Sequence, residues 1–401
     1  MGNDLNQTPS ANRVHIGFFG LRNAGKSSVV NAVTGQDLSI VSEMKGTTTD
    51  PVTKAMELLP VGPVVIIDTP GMDDRGEVGE LRVKKARQIL NKTDVAVLVV
   101  DGTVGLQDAD RELLGLIEAK EIPHLIVYNK CDLTEYPVGG EQEIAVSALA
   151  KINIEELKER IAQLAKGNES KKAVVHDLLK PSDIVVLVTP IDSSAPKGRM
   201  ILPQVQTIRD ILDGKAMCIV TQTEQLADAL AALKEPPKLV VTDSQAFGKV
   251  KQIVPESVRL TSFSILFARY KGILKTAVEG AAALSHLKDG DLVLISEGCT
   301  HHRQCEDIGT VKLPGWVKEF TGKEIQFAFT SGVEFPDDLS PYALIIHCGG
   351  CMLNEREVRY RLKCAEDQQI PFTNYGTAIA HMNGILKRSL EIFPDLEEKL
   401  E

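Results

Sequence analysis

The sequence predicts an α/β protein of three successive units, and three observations predict it. From Arg13 onward, short apolar runs alternate with stretches of helical periodicity, the pattern of a mostly parallel sheet covered by helices. The first run ends in a glycine-rich loop that opens a helix, Gly20-Leu-Arg-Asn-Ala-Gly25-Lys26-Ser27. In the last third, cysteines and histidines stand directly after two apolar runs, as Cys299-Thr-His301 and His347-Cys348-Gly-Gly-Cys351.

Residues 1–12 form an expected disordered start. Residues 13–168 hold the strand-like runs RVHIGFFG, VVIID, VAVLVV, HLIVYN and EIAVS, separated by helical stretches, with a last helix over Ile152–Leu164. This predicts a doubly wound sheet that ends near Lys166, followed by the polar linker GNESKK. Over 172–264 the pattern restarts with IVVLVTP, a helix after Pro203, AMCIV, a helix around Glu224 to Leu233, KLVVTD and SVRLTSF. No phosphate loop or metal pattern lies in this second α/β unit, so its expected role is structural, docking two protomers. The third unit, 265–401, begins with an alanine-rich helical stretch, Phe263 to Leu287. The runs LVLIS from Leu292 and YALIIH from Tyr342 follow as buried strands, with amphipathic helices from about Asn354 and after Thr377. The ends of parallel strands face a crevice where ligands bind, so Cys299 and Cys348 are expected to open into it.

Charge and composition narrow the partners. The chain has 401 residues with Lys+Arg 45 against Asp+Glu 55, a formal charge of -10 that repels phosphodiester backbones. Aromatic residues are 4%, too few for the stacking platforms of a single-strand binder, so no nucleic-acid partner is expected. The start MGNDLNQTPSANR lacks a basic region leading into an apolar one, and no run is long enough to cross a bilayer. A cytoplasmic protein with no membrane partner is the expectation. Seven cysteines, three in a ligand-like pattern, suit a reducing compartment and a metal better than a disulfide framework.

The glycine-rich loop stands after a strand and before a helix, where phosphate binding requires it. Its backbone from Gly20 through Asn23, Ala24 and Gly25 to Ser28 would cradle the phosphates, and Lys26 would neutralise the β and γ oxygens. The Ser27 hydroxyl would complete magnesium coordination with Thr48 of Gly46-Thr47-Thr48-Thr49, and Asp68 of Asp-Thr-Pro-Gly71 would hold that ion through water. Lys26, Thr48, Asp68 and Gly71 are thus the expected catalytic set. In Asn129-Lys130-Cys131-Asp132, the Asp132 carboxylate can accept the N1 and N2 hydrogens that guanine presents, which selects GTP over ATP. Ser147-Ala148 supplies the last guanine contact. These motifs, in this order, predict an enzyme that hydrolyses GTP to GDP and phosphate.

Over residues 13 to about 165 the chain resembles the translation-factor-type GTPases, most closely the potassium-activated branch related to the tRNA-modifying TrmE group. Asn23 carries the likeness, since that position ligates a monovalent cation in those proteins. Met72 carries it too, standing where many other GTPases place a water-orienting glutamine. The resemblance implies that potassium, held partly by Asn23, acts where an arginine finger otherwise stabilises transition-state charge. A turn-forming asparagine is the bland reading of Asn23. Asp73 and Asp74, in the switch segment up to Glu80, either position water or solvate a loop.

By residue type alone, Cys299, Cys348 and Cys351 with one histidine fit a Cys3His zinc site as well as an iron-sulfur cluster. The combination of this pattern with a GTPase and a plain middle unit resembles the HydF family of iron-iron hydrogenase maturation factors, across the whole chain. The resemblance implies that Cys299, Cys348 and Cys351 bind a 4Fe-4S cluster with one iron left for an exchangeable ligand. It carries over His301 and His347 as possible ligands or lining residues. It further implies a carrier, and a homodimer is expected from the plain middle unit. A diiron subcluster made by two radical enzymes would be its cargo, and the apo iron-iron hydrogenase its recipient. The alternative is a zinc-containing GTPase acting in RNA modification or ribosome assembly. His302 receives no role. Cys131, Cys218 in a buried strand and Cys364 on a helix face read as structural thiols, and Cys305 as a loop thiol that stands near the metal pattern.

Overall fold

The computed structural model describes residues 10–36, 52–69, 88–134, 138–166, 173–191, 200–298, 308–332 and 334–393. The chain divides into two compact units, Met1–Ser170 and Lys171–Glu401.

The first unit is a six-stranded sheet: β1 (Val14–Phe19), β2 (Val52–Leu58), β3 (Gly62–Asp68), β4 (Val95–Asp101), β5 (His124–Asn129) and β6 (Glu143–Ala145). The spatial order is β2-β3-β1-β4-β5-β6, parallel throughout except that β2 pairs antiparallel with β3. Strand β4 reads as a continuous apolar run, and β1 nearly so, because helices cover both faces of the sheet. On one face α1 (Lys26–Thr34) and α3 (Ile154–Lys166) bring Val29, Val33, Leu157 and Ile161 onto Ile16, Val97 and Val127. On the other, Leu113 and Ile117 of α2 (Asp108–Ala119) pack on Ile67, Leu98 and Val100. This layering aligns the strand ends: Phe18 pairs with Asp68, and Asp101 with Asn129.

The second unit contains two four-stranded parallel sheets. One is β7 (Ile184–Val188), β8 (Met217–Thr221), β9 (Leu239–Thr242) and β10 (Arg259–Ser262), in the order β10-β9-β7-β8. Its helices are α4 (Leu202–Asp213), α5 (Leu226–Ala231) and α6 (Phe247–Ile253). Cys218 lies on the edge strand β8 and is only half-buried, unlike the buried strand position its apolar neighbours suggest. The other sheet is β11 (Leu292–Glu297), β12 (Gln326–Ser331), β13 (Leu344–His347) and β14 (Phe372–Asn374), in the order β12-β11-β13-β14.

Between the sheets in sequence, the alanine-rich stretch forms two helices where the periodicity predicts one, α7 (Phe263–Tyr270) and α8 (Leu274–Ala281). Gly272, at φ +72°, ends the first, a left-handed turn that glycine takes without a Cβ penalty. The boundary expected between 264 and 265 falls inside α7. That helix is capped by Ser262, whose Oγ accepts the Ile265 N–H. Gly280 lets α8 lie directly on β14, because a Cβ there would stand 2.1 Å from the Phe372 carbonyl oxygen. The remaining helices are α9 (Leu313–Thr321), α10 (Glu355–Asp367), α11 (Tyr375–Met382) and α12 (Leu386–Leu390). One apolar core joins the two sheets through α7, running from Leu187 and Val241 past Phe263 and Leu266 to Leu294, Ile346 and Phe372.

Candidate functional site

In the first unit the phosphate loop leaves β1 and enters α1. Asn23 and Gly25 both take positive φ, +65° and +82°, so the loop curls with successive N–H groups turned inward, the nest that binds anions. A side chain at position 25 is excluded twice, by φ and by the Asn129 Nδ2, which would lie 2.2 Å from a Cβ. Asn129 ties the loop to the guanine motif. Its Nδ2 donates to the Ala24 carbonyl at 3.0 Å, and its Oδ1 accepts the Ala148 N–H at 3.1 Å.

Lys26 is buried and forms an ion pair with Asp68 Oδ1 at 3.5 Å, while Ser27 Oγ donates to Asp68 Oδ2 at 2.9 Å. Oδ1 itself is buried without a hydrogen-bond partner. An orphaned carboxylate oxygen beside a serine hydroxyl suits hydrated magnesium, so these donors fit the ion the motifs imply. Lys130 pairs with Asp101 at the end of β4. Burial works against the Asp101 charge, but hydrogen bonds from Lys130 and Thr103 outweigh it and hold the carboxyl below its usual range. Asp132 is exposed, Ser147 is buried, and Ser28 lies on the first turn of α1. Thr47, Thr48, Gly71, Met72, Asp73, Asp74 and Glu80 lie outside the described residues.

In the second unit Cys348 follows β13 and Cys351 lies three residues on, both half-buried. Strands β11 and β13 are neighbours, with Ser296 opposite His347, so their chains leave the sheet side by side. Consequently the N–H of Gly298, the residue before Cys299, donates to Cys348 Sγ at 3.1 Å, and the Gly350 N–H donates to the same sulfur at 3.4 Å. The Cys348 N–H is held by the Ser296 carbonyl at 2.9 Å. Burial pushes both thiols up, Cys351 to about 12, helped there by the neighbouring Cys348 and opposed by the positive charge of Lys271. A sulfur that already receives two N–H groups, next to a second thiol, suits binding as a metal thiolate, so these residues fit a sulfur-ligated centre.

His347 is fully buried and stacked on Phe372. Its Nδ1 donates to the Cys348 carbonyl at 2.7 Å, which leaves Nε2 to accept from Arg361 Nη1 at 3.3 Å. Both ring nitrogens are therefore occupied by protein partners. Burial, then the Arg361 charge, holds the imidazole down to about 3 against the pull of the Cys348 carbonyl, so it is neutral. Arg361 has no exposed surface and is fully engaged: Nε donates to Glu357 Oε1, Nη1 also to Ser296 Oγ, and Nη2 to the Gly332 carbonyl.

Sequence reasoning missed Arg361, yet its position carries a signal. It stands between Val358, Leu362 and Ala365 on the apolar face of α10, where a charge implies a buried partner. Cys299, His301, His302 and Cys305 lie outside the described residues. Among the described residues no group of three metal-binding side chains is found, and no helix is long and apolar enough to cross a membrane.

Comparison with known proteins assigns each unit separately. Residues 15–130 match a family described as 50S ribosome-binding GTPase. Residues 174–272 match the hydrogen maturase F dimerization domain, and residues 275–392 the hydrogen maturase F tetramerization domain. The chain is 34% identical over 154 residues to the tRNA modification GTPase MnmE of Desulforamulus reducens, covering 36% of this chain and 33% of that protein. It is 34% identical over 135 residues to the GTPase Der of Kosmotoga olearia, covering 32% of this chain and 30% of that one. The chain thus spans about a third of the length of these curated relatives. Solved structures that match include a probable GTP-binding protein engB, with 25% identity, a TM-score of 0.33 and coverage of 39% of this chain and 100% of that one. Era of Aquifex aeolicus matches with 16% identity and a TM-score of 0.33, over 79% of this chain and 92% of that one.

Proposed function

Because the chain belongs to the hydrogen maturase F family, with a GTPase domain as its first unit, we propose that it is a GTP-hydrolysing carrier in the maturation of iron-iron hydrogenase. The observation that carries this reading is the bond from the Gly298 N–H to Cys348 Sγ, which sets the residue before Cys299 against the Cys348 thiol. Cys299, Cys348 and Cys351 would hold a 4Fe-4S cluster, which when bound supplies an iron with a position for an exchangeable ligand. The diiron subcluster would be the cargo, received from the two radical enzymes and given to the apo hydrogenase. His347 supports the thiol loop from behind rather than ligating, since its nitrogens are engaged. The edge strand β8, with Met217 and Val220 exposed, offers a face for the homodimer.

In the GTPase domain, Lys26 and the loop N–H groups would hold and neutralise the phosphates. Ser27, Thr48 and Asp68 would hold magnesium, Asp132 would read guanine, and Asn23 would hold potassium. Asn129 fixes the distance between the phosphate and guanine ends of the nucleotide, because it bonds both segments.

The test is anaerobic purification with metal and sulfide analysis, followed by iron and sulfide reconstitution, with and without co-expression of the two radical enzymes. The expected result is a brown protein that gains further iron in their presence. A colourless protein loaded with zinc would overturn this reading in favour of a zinc-containing GTPase.

A further inference from the structure

Helix α7 lies along the thiol loop. Near its first turn, a Cβ on Gly349 would stand 3.8 Å from Ser264 Oγ, and the Ser264 carbonyl is held by Asn374 Nδ2 at 3.1 Å. Just past its last turn, Lys271 turns inward and Nζ donates to the Leu353 carbonyl at 2.8 Å, two residues beyond Cys351. The loop that carries both described thiols is therefore bracketed by the two ends of one helix. Lys271 is 2% exposed, an extreme position for a lysine at a helix C-terminus, where the side chain ordinarily reaches water. Its sequence, a lysine before a glycine at a helix end, reads as an ordinary C-terminal cation.

We propose that Lys271 is a positioning residue of the metal centre, whose buried ammonium clamps the chain beyond Cys351 and holds positive charge against the sulfur ligands. The inference rests on the cluster reading above and adds to it a residue outside the thiol motif, on a different segment. Two jobs are combined in one side chain. The hydrogen bond to Leu353 fixes the path of the loop, and so the placement of Cys351. The charge favours the more negative, reduced state of a thiolate-bound cluster, because burial leaves little water to screen it.

Two substitutions separate the jobs. Lys271→Gln keeps a donor for the Leu353 carbonyl and loses the charge, whereas Lys271→Met loses both. The experiment reconstitutes full-length protein anaerobically with iron and sulfide and reads iron and sulfide content together with the reduction potential by spectroscopic titration. Lys271→Gln should keep wild-type iron content but show at least a tenfold lower reduced-to-oxidised ratio at a fixed potential, about 59 mV for one electron. Lys271→Met should lose at least half of its iron, and Lys271→Arg should restore both properties. A wild-type potential in Lys271→Gln together with wild-type iron content in Lys271→Met would overturn the inference while leaving the cluster reading intact. Wild-type protein that takes up no iron would overturn the cluster reading and this inference with it.

Discussion

The Asn129 side chain amide reaches across the first unit to the Ala24 carbonyl at 3.0 Å, so the guanine motif and the phosphate loop share one hydrogen-bonded strut. The strut has a second foot on Ala148, and each foot contributes about 1 kcal/mol of net stabilisation. Asn129→Ala should therefore weaken GTP affinity by about 30-fold, equivalent to about 2 kcal/mol. Fluorescent nucleotide titration measures this, and unchanged affinity would show that the strut does not organise the site.

Gly25 faces the same amide. Gly25→Ala adds a methyl that meets Asn129 Nδ2 at 2.2 Å in a backbone conformation of φ +82°, so the loop must move. Nucleotide binding should fall by more than tenfold, while the second unit keeps its stability. Trp316, the one tryptophan in the chain, lies on α9 and reports on that unit alone.

Potassium dependence is best tested by exchanging the ion, not the residue. Asn23 sits at φ +65°, where most replacements strain the loop and would lower turnover for reasons unrelated to a cation. Replacing potassium with sodium at constant ionic strength should slow GTP hydrolysis of the unmodified protein severalfold. Equal rates in the two salts would remove Asn23 from the proposed ion site.

The buried pair of Arg361 and Glu357 makes a prediction about stability. Arg361→Leu leaves the Glu357 carboxylate buried without its cation and should lower the unfolding free energy of the second unit by about 3–5 kcal/mol. Adding Glu357→Leu should recover part of that loss, since the stranded charge is then gone. Denaturant unfolding followed by Trp316 fluorescence tests both, and a double variant no more stable than the single one would contradict the argument.

His347 gives an acid limit to the metal-free protein. Burial holds its folded value near 3, against 6.5 in the unfolded chain. The unfolded chain therefore gains a proton below pH 6.5 that the folded chain refuses until about pH 3. The contribution of the neutral imidazole is complete above that window and is lost downward through it, by at most about 1.4 kcal/mol per pH unit. The stability difference between wild type and His347→Gln should shrink steadily from pH 7 to pH 5. A difference independent of pH would show that His347 does not titrate in this way.

What could be read from the chain follows from how each signal is made. The strands of the first unit were legible because burial on both faces writes continuous apolar runs such as VAVLVV. Strand β12, QFAFTS, was not, because as an edge strand it is partly exposed on both faces and carries no such run. Strand β14 has three residues and gives no periodicity at all. The split of the alanine-rich stretch into α7 and α8 hinges on Gly272, since alanine periodicity continues through it. The phosphate-loop residues and the thiols announce themselves by type and spacing. Lys271 does not, because a charged residue at a helix end normally faces solvent and only the tertiary fold shows that it is enclosed, whereas Arg361 is signalled only by its place on the apolar face of α10.

Helix α7 also bears on how the protein can be dissected. Phe263, Leu266 and Phe267 belong to the same apolar core as the strands on either side of them in sequence. A fragment cut to start after Gly272 would lose these side chains and Lys271 together, uncovering the faces of α8 and α11 on which α7 packs. Grafting the thiol-bearing sheet into another host thus requires carrying α7 along with it. Among the described residues this core begins at Val174, beyond the first linker.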